Sequence, residues 1–143
     1  MEHLLAPPQA HTVIPATRVL VIAPHPDDEV FGCGGAILRH VADGARVHVR
    51  IWTTGGYGVE PGKKAEYVAT RRSESEAAAR VLGYGAPEFW TAEDREVCYG
   101  ELLVQDLLAL IVRHEADLVY APSVMSSSRF GRSGSATIST SPR

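Results

Sequence analysis

Between Thr17 and Pro24 the chain runs Arg18-Val19-Leu20-Val21-Ile22-Ala23, with an uninterrupted apolar interior. A short β-branched run closed by proline is a buried strand. His25-Pro26-Asp27-Asp28-Glu29 follows at once, packing one imidazole and three carboxylates into a few residues. A strand that ends in a polar cluster marks the place where open α/β sheets put their ligand sites, at the carboxyl ends of the strands.

The rest of the chain repeats the alternation. Gly32 through Gly35 lead into a helix over 36–42 that stops at Asp43-Gly44. Residues 45–53 alternate with a period of two, which places Val47, Val49 and Ile51 on one face of a second strand. A long helix rich in Ala, Glu and Arg spans 63–82 and ends at Gly83 and Gly85. Glu88-Phe89-Trp90 is a short third strand, followed by a polar loop through Asp94. Over 100–115, Leu103, Leu107, Leu110 and Ile111 share one helical stripe. Residues 117–121 form a fourth strand ending at Pro122. Strand and helix in strict alternation imply right-handed crossovers. The expected fold is α/β: a Rossmann-like, three-layer domain with a mostly parallel sheet over residues 17–122. Residues 1–16 read as an irregular, Pro-rich arm. Residues 123–143 are rich in Ser, Arg and Gly, carry no acidic residue and show no period. That composition reads as a disordered tail.

A chain of 143 residues, 45% of them hydrophobic, can bury one core. The net charge of -3 lacks the basic bias of a nucleic-acid binder. No apolar run approaches the ~20 residues of a membrane span. The first residues lack the basic start and long apolar stretch of a signal peptide, so the expected location is cytoplasmic. Cys33 and Cys98 make neither a disulfide framework nor a zinc ribbon. Cys33, between Gly32 and Gly34, reads as a small packing residue rather than a ligand.

His25 and Asp28 offer the nitrogen and oxygen donors that suit zinc. Asp27 lies between them and is left free to act as a base. The plainer alternative is a polar turn that caps the following helix. No other histidine stands out as a ligand. His48 lies mid-strand, out of phase with Val47 and Val49, facing solvent or a helix. His114 ends a helix, where a cation offsets the macrodipole. His40 reads as a helix-surface residue, and His3 and His11 belong to the arm. Trp52, Tyr57 and Trp90 lie near strand ends, where an aromatic ring can stack on a sugar, although residues such as Trp52 and Trp90 are more often part of a core. The Arg71-Arg72 pair fits a phosphate or sugar hydroxyl, or simply a solvated helix face. A nucleotide site is disfavoured. Gly32-Cys33-Gly34-Gly35 lacks the G-x-G-x-x-G spacing, and the carboxylates ahead of it repel a pyrophosphate.

Taken together, these residues resemble the LmbE-like, or PIG-L, family of zinc-dependent N-acetyl-sugar deacetylases. The family's first motif, (A/P)-H-P-D-D-E after a strand, stands complete as Pro24-His25-Pro26-Asp27-Asp28-Glu29. Thr53-Thr54-Gly55 is similar to its T-x-G stretch. Arg71-Arg72-Ser73-Glu74, with Ala77, Ala78 and Leu82-Gly83, is similar to its R-x-x-E…A…LG helix. Asp94 matches an Asp that often follows strand three. The resemblance implies His25 and Asp28 as zinc ligands, Asp27 as general base, and Arg71 as a substrate contact. It implies Zn2+ as the cofactor and an N-acetylglucosamine-type substrate whose acetyl group is removed.

The family's second motif, H-P-D-H after the fourth strand, supplies a third zinc ligand. It is absent from this sequence, which has no histidine after His114. The break in composition at residue 123 is therefore read as a substituted tail, from a frameshift or truncation, on a domain incomplete at its C-terminus. Two alternatives to a self-sufficient enzyme follow: an inactive truncated remnant, or one half of a two-chain enzyme. A free sheet edge would also allow a homo-oligomer.

Overall fold

A computed structural model describes residues 14–97, 100–122 and the strand 135–139. The elements run β1 (Arg18–Ala23), α1 (Asp28–Ala42), β2 (Arg46–Thr53), α2 (Pro61–Leu82), β3 (Glu88–Ala92), α3 (Glu101–His114), β4 (Leu118–Pro122) and β5 (Ser135–Ser139). They form one sheet in the order β3-β2-β1-β4-β5. β3, β2, β1 and β4 are parallel, and β5 is antiparallel to β4. The order 3-2-1-4 is that of the first half of a doubly wound sheet, with its topological switch point between β1 and β4.

The pleat of β1 sorts the core into two layers. Val19, Val21 and Ala23 point to one side, with Val47, Val49 and Ile51 of β2 and Leu118 and Tyr120 of β4. There they meet Ile37 of α1 and Ala79 and Leu82 of α2. Leu20 and Ile22 point to the other side, where they pack with Val119 against Leu110 of α3. Leu107 and Ile111 of the expected α3 stripe pack against that second cluster. Helices on both faces explain why β1 has no polar phase: strands covered on both sides read as continuous apolar runs. Cys33 packs against the larger cluster.

The structure corrects three expectations. The first helix begins at Asp28, not after the glycines. Two carboxylates, Asp28 and Glu29, occupy its first turn, where they complement the positive end of the helix dipole. The inward residues Glu29, Val30, Cys33 and Ile37 supply packing that outweighs the glycine penalty. Second, His40 is not on the surface. It is 1% exposed, and its Nε2 lies 3.0 Å from the Tyr120 hydroxyl. A buried histidine is tolerated there because that hydroxyl satisfies it. Third, within the segment expected to be disordered, Ser135–Ser139 pairs with β4. Backbone hydrogen bonding to an open edge asks for no apolar side chains. The remaining residues of that segment, the arm through residue 13, and Cys98 lie outside the described residues.

Among the described residues, no helix is long and apolar enough to cross a membrane.

Candidate functional site

The carboxyl ends of the parallel strands bring three loops together. The first follows β1. Pro24 ends the strand, and Asp27 occupies the position ahead of α1 with φ 94°, a left-handed conformation uncommon for a residue with a side chain. Val30 and Phe31 donate their amides to the Asp27 carbonyl, which closes the first helical turn. The Asp27 side chain makes no capping hydrogen bond. Its Oδ2 instead accepts from Nη2 of Arg71, 3.0 Å away on α2. The same guanidinium donates to the Pro26 carbonyl and, through Nη1, to the Tyr67 hydroxyl at 2.9 Å. A turn that existed only to cap the helix would direct this carboxylate at the helix amides.

His25 and Asp28 converge beside it. His25 Nδ1 lies 3.1 Å from Asp28 Oδ2, which also accepts the His25 amide at 3.0 Å. The second ring nitrogen, Nε2, faces Asp94 Oδ1 at 4.0 Å. The hydrogen bond to Asp28 raises the His25 pKa above the ordinary imidazole value despite partial burial. Partial burial raises the Asp27 carboxyl, against the pull of Arg71.

The second loop follows β2. Gly55 has φ 69°, and a Cβ there would stand 3.1 Å from Pro26 Cδ, so only glycine lets this loop close against the first. The third loop, after β3, presents Asp94. Its carboxylate accepts from the amides of Gly55 at 2.9 Å and Tyr57 at 2.7 Å. Burial alone would raise its pKa, but hydrogen bonds from Thr53, Tyr57 and Gly55 outweigh that and hold it below the usual range. Asp94 thus ties the glycine loop in place and lines the floor beneath His25.

Among the residues proposed from sequence, His25, Asp27, Asp28, Arg71 and Asp94 share this one end of the sheet. Arg72 turns away, with its guanidinium 4.6 Å from the centre of the Phe89 ring. His48 stacks on His114 of α3, ring centres 3.8 Å apart, on the other face of the sheet. Trp52 and Trp90 meet edge to face, and the Trp52 indole reaches Asp106. Both belong to the α3 side, away from His25. Tyr57 remains exposed, with Arg95 over its ring.

Sequence reasoning reads Glu29 as a helix-N-terminal or ligand-supporting carboxylate rather than a ligand, and gives Ser75 no task. Glu29 is wholly buried, and its Oε2 accepts the Asp27 amide at 3.0 Å. Ser75, one helical turn beyond Arg71, lines the same groove as Glu29, whose Oε1 has no hydrogen-bond partner among the described residues. A carboxylate at an inward helix position was the available signal. A shallow groove opens here between α1 and α2, lined by Pro26, Asp27, Phe31, Arg71 and Glu74.

A neutral imidazole nitrogen and a carboxylate are donors that zinc accepts, so His25 and Asp28 fit two positions of such a site. Catalytic zinc takes three protein donors. Among the described residues, no group of three or more His, Cys, Asp or Glu stands ready to hold a metal ion. The described donors therefore do not complete a zinc site. Residues 123–134, which follow β4 in the chain, lie outside the described residues.

The model of the PIG-L family, GlcNAc-PI de-N-acetylase, matches residues 20–129. The chain belongs to the PIG-L family. The 1D-myo-inositol 2-acetamido-2-deoxy-alpha-D-glucopyranoside deacetylase of Rhodococcus jostii is 41% identical over a stretch covering 50% of this chain and 28% of that relative. Among solved structures, the N,N'-diacetylchitobiose deacetylase from Pyrococcus horikoshii superposes with a TM-score of 0.69 at 35% identity, covering 75% of this chain and 41% of that one. GalB, the 4-carboxy-2-hydroxymuconate hydratase of Pseudomonas putida, superposes with a TM-score of 0.62 at 29% identity, covering 71% of this chain and 45% of GalB. The chain thus spans less than half the length of these relatives. Deacetylases of N-acetylated sugars are among its homologues, and so is a hydratase, so the PIG-L fold by itself does not fix the reaction.

Proposed function

We propose that this PIG-L chain carries the base-bearing half of an N-acetylglucosamine-type deacetylase site, with Asp27 as general base and His25 and Asp28 as ligands of a zinc ion. The observation that carries this reading is the direction of Asp27. Its carboxylate forgoes the helix amides, stands next to His25 and Asp28, and is gripped by Arg71. The reaction is hydrolysis of a linear amide. Asp27 takes a proton from water as the water oxygen adds to the acetamide carbonyl. The C–N bond then breaks, the proton passes to the leaving nitrogen, and acetate and a free amino sugar remain. Arg71 holds Asp27 and keeps donors at the mouth of the groove, where a sugar hydroxyl can reach them. Zinc at this pair would supply Lewis-acid activation of water and of the carbonyl.

A second reading rests on the donor count: the described residues form a half-site that a partner chain completes. Both readings are tested by acetate release from diacetylchitobiose with zinc present. Release by the purified chain that disappears in Asp27→Asn, with zinc retained, supports the first. Release only after a second polypeptide is added supports the second. Release that survives Asp27→Asn removes Asp27 from the role of base.

A further inference from the structure

We infer that Glu29 is the positioning residue that holds Asp27 in its left-handed turn and so keeps the Asp27 carboxylate beside His25 and Asp28. Its bearing on catalysis rests on the reading of Asp27 as the base. The conformation of residue 27 can be measured without that reading.

The argument begins with cost. Asp27 has φ 94° and carries a side chain, a conformation that persists only where the surroundings enforce it. Glu29 is 0% exposed on a helix face that otherwise packs into the core. Burying a carboxylate is unfavourable unless its oxygens are engaged. One oxygen, Oε2, is engaged by the amide of Asp27 at 3.0 Å, two residues back in the chain, while Oε1 has no hydrogen-bond partner among the described residues, so this amide is the donor the buried carboxylate depends on. Ser75 of α2, itself buried, lines the same groove as Glu29. The Glu29–Asp27 bond spans the left-handed residue. If Asp27 relaxed to a negative φ, its amide would turn away and leave the buried carboxylate without that donor. The two groups therefore lock each other.

α2 completes the device. Arg71 grips the Pro26 carbonyl and the Asp27 carboxylate, and Ser75 one turn later lines the groove beside Glu29. Residues spaced by four lie on one helix face. α1 thus holds the backbone amide of residue 27 through Glu29, and α2 holds its side chain through Arg71.

The test uses the whole metal-free chain and NMR. In the wild type, Asp27 should show the strong intraresidue amide-to-Hα cross-peak of a positive φ and a slowly exchanging amide. Glu29→Ala should weaken the cross-peak, speed Asp27 amide exchange about tenfold or more, and shift the His25 and Asp28 resonances. Glu29→Gln keeps an acceptor oxygen. It should keep the cross-peak, leave His25 and Asp28 in place, and speed the exchange only a few-fold. Glycine adopts positive φ freely. In an Asp27→Gly background, Glu29→Ala should therefore leave His25 and Asp28 nearly unmoved.

A retained cross-peak in Glu29→Ala, or equal shifts of His25 and Asp28 in both backgrounds, overturns the proposal. If Glu29→Ala does not fold, Glu29→Gln decides, and unchanged Asp27 exchange overturns it. Failure of the chain to release acetate would count against the proposed function and leave these readouts intact.

Discussion

Arg71 on α2 reaches across to the turn before α1 and holds Asp27 Oδ2 at 3.0 Å, while its other donors take the Pro26 carbonyl and the Tyr67 hydroxyl. Arg71→Lys should therefore behave much like Arg71→Ala, because an ammonium at the end of a flexible stem cannot reproduce a planar fork with several partners. Both should lower acetate release by roughly tenfold to a hundredfold. Asp27→Asn should lower it by roughly 10²–10⁴, the range for loss of a positioned base. Rates measured side by side at saturating substrate check the ranking. Full activity in Arg71→Lys would contradict it.

His40 makes stability depend on pH. Burial pushes its imidazole below the ordinary value, so the folded chain keeps it neutral where the unfolded chain takes up a proton. The contribution is fully present above about pH 6.5 and is lost as pH falls from there through the lowered folded pKa. Urea midpoints of the wild type should drop between pH 7 and pH 5 more steeply than those of His40→Leu. Parallel slopes would exclude His40 as the source. Tyr120→Phe, which leaves His40 Nε2 without its partner, should cost about 1–3 kcal/mol.

Asp117 works in the opposite part of the pH scale. Burial alone would raise its carboxyl, but donors from Thr17 and Arg18 outweigh that and hold it below its usual value. It accepts from the Thr17 hydroxyl at 2.6 Å and the Arg18 amide at 2.9 Å, which ties the start of β1 to the start of β4. The stabilisation exists above the unfolded carboxyl pKa of about 3.9 and disappears as pH falls through the lower folded value. Asp117→Ala should cost about 2 kcal/mol at pH 7, measured by urea unfolding. The difference from wild type should shrink toward pH 2.

Gly55 and Gly58 form an internal control. Both have positive φ, but a Cβ at Gly58 meets nothing within 4 Å, whereas one at Gly55 stands 3.1 Å from Pro26. Gly58→Ala should cost only the backbone strain, about 1–2 kcal/mol. Gly55→Ala should cost more and shift the His25 resonances. Equal costs and an unmoved His25 would mean that the two loops do not press on each other as described.

Much of the fold was legible because packing here agrees with local pattern. The alternation of Val47, Val49 and Ile51 foretold their shared face, and the stripe of Leu107, Leu110 and Ile111 foretold the layer on α3. His40 was misread because a lone polar residue near the end of a helix carries no mark of burial. Its partner, Tyr120, is far away in sequence. The start of α1 was misplaced because glycine propensity argues against a helix that tertiary contacts nonetheless hold. In the site, His25, Asp27 and Asp28 could be read from one contiguous motif. Glu29 could be read there as a helix-N-terminal carboxylate but not as the acceptor of the Asp27 amide, and the task of Asp94 could not be read, since it depends on loops from different strands meeting. The left-handed turn at Asp27 left no trace in composition, because aspartate tolerates that conformation without requiring it.

The most direct test is a zinc titration followed through the side chains of the six histidines of the chain by NMR. The account expects the His25 ring to respond first, with Asp28 beside it, and expects His25→Ala to abolish that first event. His48 and His114 should stay unmoved at low zinc. A first response at His48 and His114, or a zinc response that survives in His25→Ala, would contradict the placement of the metal at the turn after β1.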